Sequence, residues 1–180
     1  MDETDNRVYY VYDSIVGRDV QVRFEPLTDA DRGHLNGPEW LGARFGDVWL
    51  ESAGRGVALK LTLRDGSAKP VLGVVRLGIA PSTNGHKGAL RSSVLETAPA
   101  HRFGAVARRY RGVGRVLVAR LIVESKAQCA NGRILLRPAR GSVTFYRSIG
   151  FLDSPMRPYL RLEPEDADAL LTACTSSIME

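Results

Sequence analysis

The sequence is short of the residues that most often declare a chemistry. Among 180 residues there are two cysteines, Cys129 and Cys174, and three histidines, His34, His86 and His101. No two of these have the spacing of a zinc site or a CxxC pair, so a metal centre and a redox dithiol are both disfavoured. No apolar run reaches the roughly 18–20 residues that a membrane-spanning helix needs. The N-terminal MDETDN is acidic and is not followed by an apolar block, so no secretory signal is expected. Isolated thiols without a signal predict a reducing, cytoplasmic setting.

Acid is missing from one long window. Between Glu96 and Glu124 there is no Asp or Glu, while Arg102, Arg108, Arg109, Arg111, Arg115 and Arg120 all fall inside it. The formal net charge is only +5, because acid collects in the tail at Glu163, Glu165, Asp166 and Asp168. A basic run is ordinarily a solvated face. This one surrounds Gly112-Val113-Gly114, and bare backbone amid positive charge points to an anionic ligand.

A chain of 180 residues with 44% hydrophobic and 25% charged composition suits one soluble domain. RDVQVRFEPL alternates over Val20, Val22 and Phe24 and reads as a strand. GVALKLTLRDG and KPVLGVVRLGIAP read as an antiparallel hairpin, and LRSSVLETAP as a further strand. Thr28 and Asp29 open a short helix. Residues 37–56 resist assignment and suggest a short helix and a loop over a pocket. From Val113 the period becomes helical, with Val113, Leu117, Leu121 and Ile122 on one face as far as Asn131-Gly132. RILLR is a short buried strand, Ser142 opens another helix, MRPYLRLE alternates again, and PEDADALLTAC forms a terminal helix with acids in its first turn. The order predicts a mixed α/β sheet with helices on its faces.

Three phosphate-binding devices compete for the glycine turn. A P-loop fails, because no Gly-Lys-Ser/Thr follows. A dinucleotide fingerprint fails on its missing third glycine and its position deep in the chain. The form R/Q-x-x-G-x-G/A fits Arg109 to Gly114. There the first-turn amides of a helix, which have no intrahelical partner, cradle a diphosphate with help from the helix dipole.

Downstream, SVTFYRSIGF (residues 142–151) resembles the closing motif of the GCN5-related N-acetyltransferase (GNAT) superfamily, in which a short helix bearing a tyrosine precedes Gly-Phe. The segment LETAPAHR…RRYRGVG is similar to a branch of that superfamily with a Glu-x-x-Pro stretch and an extended loop before the turn. The resemblance spans roughly residues 18–162 and is specific from about 92 to 151. It implies one domain over residues 1–180, with 1–17 an N-terminal extension and 163–180 a C-terminal helical extension. It also implies a mostly antiparallel sheet splayed at a cofactor site, with helices on both faces.

The resemblance further implies an N-acyltransferase that uses acetyl-CoA or another acyl-CoA and no metal. Leu95, Thr97 and Ala98 would hold the pantetheine arm, and Arg109, Arg111, Gly112, Val113, Gly114 and Arg115 the pyrophosphate. Tyr146 matches the general acid, and Glu96 or His101 would be the base. Cys129, with nothing nearby in sequence to activate it, is expected to be incidental. The acceptor is a small-molecule or peptide amine whose pocket comes from residues 28–56 and 81–90. The arginine loop also suits a polyanion, either tRNA or a carrier protein. A homodimer stays open, as does a non-catalytic CoA-binding module on the same fold.

Overall fold

The computed structural model describes residues 7–35, 40, 58–65, 70–78, 88–92, 94–102, 105 and 107–175. Most of residues 37–56 and the 81–87 stretch, which were expected to shape an acceptor pocket, lie outside them. The strands are β1 (Tyr9–Asp13), β2 (Arg18–Pro26), β3 (Ala58–Leu63), β4 (Val71–Arg76), β5 (Leu90–Ser92), β6 (Val94–Thr97), β7 (Tyr110–Arg111), β8 (Ile134–Leu136), β9 (Leu152–Asp153) and β10 (Leu160–Leu162). The helices are α1 (Arg32–Leu35), α2 (Val113–Ala127), α3 (Val143–Ser148) and α4 (Pro164–Thr175).

Two sheets share the work. One is antiparallel in the order β6-β4-β3-β2-β1-β7, and the other runs β5-β8-β10-β9 with a parallel pairing of β5 to β8. The stretch 90–97 belongs to both. Its first half pairs with β8, from Leu90 opposite Ile134 to Ser92 opposite Leu136. Its second half pairs with β4, from Val94 opposite Arg76 to Thr97 opposite Gly73. Past residue 93 the two sheets therefore part, and a fork opens between β6 and β8.

Helix α2 lies across the fork on one face. Val113, Val116, Leu117, Val118, Leu121 and Ile122 are all at most 1% exposed and pack with Leu61, Val75, Leu90 and Ile134. Gly73 makes this close approach possible, since a Cβ there would sit 2.9 Å from both Leu117 Cδ1 and the Glu96 carbonyl oxygen. Helix α4 packs its buried Ala167, Leu170, Leu171 and Cys174 into the same core. The opposite face carries a smaller cluster, in which Leu35 of α1 meets Val74.

The N-terminal segment corrects the sequence reading. Residues 9–13, expected within an extension, form β1 inside the main sheet, paired with β2 and β7. Tyr9, Val11 and Asp13 are buried, while Tyr12 is exposed. Tyrosines on both faces hide the period of two from a hydrophobicity pattern. Helix α2 also ends earlier than its pattern suggests. Its C-cap is Gln128, and Cys129 and Asn131 take left-handed backbone (φ 59° and 52°) ahead of Gly132.

Candidate active site

The glycine turn is the tip of an edge strand. β7 pairs antiparallel with the end of β1, Tyr12 opposite Arg111 and Asp13 opposite Tyr110. The chain then turns through Gly112, at φ 89° and ψ −7°, into α2. That left-handed geometry favours glycine, and a Cβ there would meet nothing within 4 Å. The first turn of α2 holds no acid, and no side chain caps it. The first intrahelical bond is Val116 N–H to the Gly112 carbonyl, at 3.1 Å. The amides of Val113, Gly114 and Arg115 thus have no intrahelical acceptor at the positive end of a 15-residue helix, the arrangement an anion needs.

Gly114 has a different cause. A Cβ on it would stand 2.9 Å from Phe145 Cζ, so its smallness lets α3 pack beside the first turn of α2. Ser142 does stand at the N-cap of α3, but its hydroxyl donates to the Ala139 carbonyl (2.8 Å) and does not cap the helix. Next to Phe145, Tyr146 is 6% exposed. Its ring makes edge contacts with Phe145 and Phe151, with centroids 5.1 and 5.3 Å away. Burial pushes the phenol up to about 12.

On the fork strand, the Ala98 amide donates to the Leu72 carbonyl (2.9 Å) and the Ala98 carbonyl accepts from His101 N–H (2.8 Å). The Ala98 amide is therefore committed to β4, and its carbonyl keeps one lone pair free for a further donor. Strand alternation turns the amides of Leu95 and Thr97 away from β4 and toward the fork. The Thr97 carbonyl accepts from Arg102 Nε at 3.1 Å.

Glu96 is opposite Val74, which is opposite Lys60, which is opposite Glu25. This row lies on the α1 face, so Glu96 is on the far side of the sheet from α2. Its carboxylate is buried and ion-paired with Arg102. Lys60 in turn bonds Asp31 at 2.6 Å. Burial works against the charged form of Asp31, but bonds from Lys60 and Thr28 outweigh it and lower its pKa. His101 lies half-buried at the rim, edge-on to Tyr110 at 5.0 Å, with Nδ1 buried and unbonded among the described residues. Desolvation, with a smaller contribution from Arg108 and Arg109, holds its pKa below 6.5 and favours the neutral imidazole.

The arginines divide into two groups. Arg109 is held by Asp13, its Nε and Nη2 donating to both carboxylate oxygens over 2.8–3.1 Å. Its side chain, still partly exposed, is thus tied to the end of β1, a pairing that sequence reasoning missed because Asp13 is 96 positions away. Arg102 is likewise held by Glu96 and Thr97. Arg111 and Arg115 are exposed and make no ion pair among the described residues. Arg108 is half-buried, and desolvation together with neighbouring Arg111 lowers its pKa. Cys174 is buried with its thiol raised to about 11, mainly by desolvation and partly offset by Arg115. Cys129 is exposed. Among the described residues no group of three or more His, Cys, Asp or Glu could hold a metal ion, and no helix is long and apolar enough to cross a membrane.

The fold recurs in solved structures. AtaTR bound with AcCoA superposes with a TM-score of 0.61 at 21% identity, over 84% of this chain and 98% of that one. An acetyltransferase of the GNAT family from Staphylococcus aureus Mu50 gives 0.51 at 12% identity, over 79% and 99%. The chain has the GNAT fold. AtaT complexed with acetyl-methionyl-tRNAfMet gives 0.57 at 20% identity, over 84% and 99%. No protein-family model matches the sequence, and no curated protein matches it. The fold is thus shared with these structures at 12–21% identity.

Proposed function

We propose that the protein is an acyl-CoA-dependent N-acyltransferase, acetyl-CoA being the first donor to test, that acts by direct attack of an amine in a ternary complex. The observation that carries this reading is the contact of Gly114 with Phe145, which, through the Phe145–Tyr146 ring contact, joins the tyrosine's helix to the uncapped first turn of α2. In this reading the amides of Val113, Gly114 and Arg115 hold the diphosphate, with Arg111 and Arg115 adding charge. Leu95 and Thr97 present backbone to the pantetheine arm. Fixing both reactants this way accounts for much of the acceleration, up to roughly 7–11 kcal/mol in well-oriented cases.

The amine attacks the thioester carbonyl, the C–S bond breaks, and the amine nitrogen gives up a proton. Glu96 is the proposed acceptor of that proton, directly or through water, with His101 as the alternative. Tyr146, raised to about 12, is a weaker acid than a thiol at roughly 8.5. Its hydroxyl therefore stabilises the departing thiolate chiefly by donating a hydrogen bond; the amine's proton stays with the base, and the released thiolate takes its proton from solvent.

For the acceptor, a small-molecule or peptide amine is the first reading. A tRNA-linked amine is the second, and one observation favours it. Arg137 and Arg140, between β8 and α3, are exposed and make no ion pair among the described residues, so the loop that leads into the Tyr146 helix carries positive charge available to a phosphate backbone. We place the reaction in the cytoplasm. The test is thioester consumption and free CoA release from acetyl-CoA and longer acyl-CoAs across a panel of amines, peptides and aminoacyl-tRNA. Release that depends on one acceptor supports the enzyme. CoA binding without turnover on any acceptor would leave a non-catalytic CoA-binding module.

A further inference from the structure

We infer that Asp13 is a positioning residue for the anion-binding turn, acting through Arg109; this rests on the reading that the turn holds the diphosphate of acyl-CoA. Asp13 ends β1 on the same face as Tyr9 and Val11 and is 2% exposed. A carboxylate so enclosed requires a partner of opposite charge. The partner is Arg109, whose Nε lies 3.0 and 3.1 Å from the two oxygens and whose Nη2 lies 2.8 Å from one of them. A planar fork on a carboxylate fixes direction as well as distance, which a lysine could not do.

The main chain is held at the same point. Ser14 N–H donates to the Arg109 carbonyl at 2.9 Å, and the Ser14 hydroxyl reaches the Arg108 and Arg109 carbonyls at 3.1 and 2.9 Å. Asp13 Oδ1 also accepts the Ile15 amide at 2.9 Å, and the Gly17 amide returns to the Asp13 carbonyl at 2.9 Å. One carboxylate thus anchors both the β1–β2 turn and the approach to Gly112. The guanidinium of Arg109 lies over the buried Tyr110 ring, 4.9 Å from its centroid, and Tyr110 is itself opposite Asp13 in the strand pairing. Three residues after this anchor the backbone enters the left-handed turn at Gly112.

Charge and geometry make opposite demands here, which gives the inference a sharp test. A carboxylate near an anion site repels the anion, so by Coulomb's law alone Asp13→Asn should tighten CoA binding. If Asp13 places the turn, the same change should weaken it. CoA is titrated calorimetrically into wild type and Asp13→Asn at low and high salt, below the melting temperature of each. The expected result is an affinity about tenfold or more lower in the variant, to the same degree at both salt concentrations. Acyl-CoA KM should rise while kcat at saturation and the KM for the acceptor stay put. Unchanged or tighter CoA binding by Asp13→Asn would overturn the inference. Wild type that does not bind CoA would overturn the parent reading, and the inference with it. Should Asp13→Asn fail to fold, Asp13→Ala/Arg109→Met replaces the pair by apolar groups, a change that buried ion pairs often tolerate. The same loss of affinity is expected there, and wild-type affinity would again overturn the inference.

Discussion

Gly114 stands against the ring of Phe145, where a Cβ would come within 2.9 Å of Cζ. The glycine that a phosphate-binding motif supplies for backbone access also serves here as the seat of the neighbouring helix. Gly114→Ala should therefore destabilise the fold by about 1–3 kcal/mol, the usual cost of overpacking. It should also disturb the near-ultraviolet signal of the Phe145–Tyr146–Phe151 cluster. Denaturant unfolding checks the first and circular dichroism the second. A variant as stable as wild type would show that α3 does not depend on this contact.

Arg102 and Arg111 should respond differently to salt. Arg102 is ion-paired to buried Glu96, so Arg102→Ala leaves a carboxylate without this partner and should weaken CoA binding and stability at any ionic strength. Arg111 is exposed, and exposed charges are screened beyond about 10 Å at 0.1 M salt. Arg111→Ala should weaken CoA binding at low salt and barely at high salt. Titrations of both variants across a salt series distinguish them, and identical salt profiles would contradict the division of the arginines.

His101 sets a pH dependence with a defined sign. Its pKa lies below 6.5 in the fold, chiefly because burial penalises the imidazolium. The neutral form is thus favoured by folding, and the contribution is complete above the unfolded value. It is lost as pH falls below 6.5, where the unfolded chain takes up the proton first. Between pH about 7 and 5, wild type should lose stability that His101→Gln does not. Proton NMR should place the imidazole titration below 6.5, and a titration above it would reverse the sign.

The fold was legible wherever burial is one-sided. Alternation at Val57–Leu63 and Val20–Phe24, and helical spacing from Val113, reported the strands and α2 directly; the glycine turn stood out by its own residues, and Tyr146 only by the resemblance of residues 142–151 to the GNAT closing motif. Strand β1 was hidden by tyrosines on both faces, and β7 and β9 are too short for any period to show. The roles of Arg109 and Arg102 were not legible, because their partners Asp13 and Glu96 meet them only after the sheet has formed. Nor could sequence separate the two glycines, one set by backbone angle and the other by an aromatic ring 31 positions on.

Tyr146→Phe keeps the ring and its edge contacts and removes only the hydroxyl. Folding and CoA affinity should change little, while the rate of the chemical step falls by about ten- to a thousandfold. Single-turnover acyl transfer measures this once an acceptor is in hand. Full activity would remove Tyr146 from the mechanism, and weakened CoA binding with normal chemistry would make it a ligand of the cofactor.

The central claim is that the bare amides after Gly112 hold the diphosphate of acyl-CoA, and a pair of substitutions isolates it. Asn and Asp both tolerate left-handed backbone better than other side chains and have nearly the same shape, so Gly112→Asn and Gly112→Asp should carry similar costs in stability. They differ by one negative charge at a site where a Cβ meets nothing within 4 Å. Calorimetric titration with acetyl-CoA should show binding that survives, weakened, in Gly112→Asn and is abolished in Gly112→Asp. Equal affinity in the two variants would contradict the assignment of the turn.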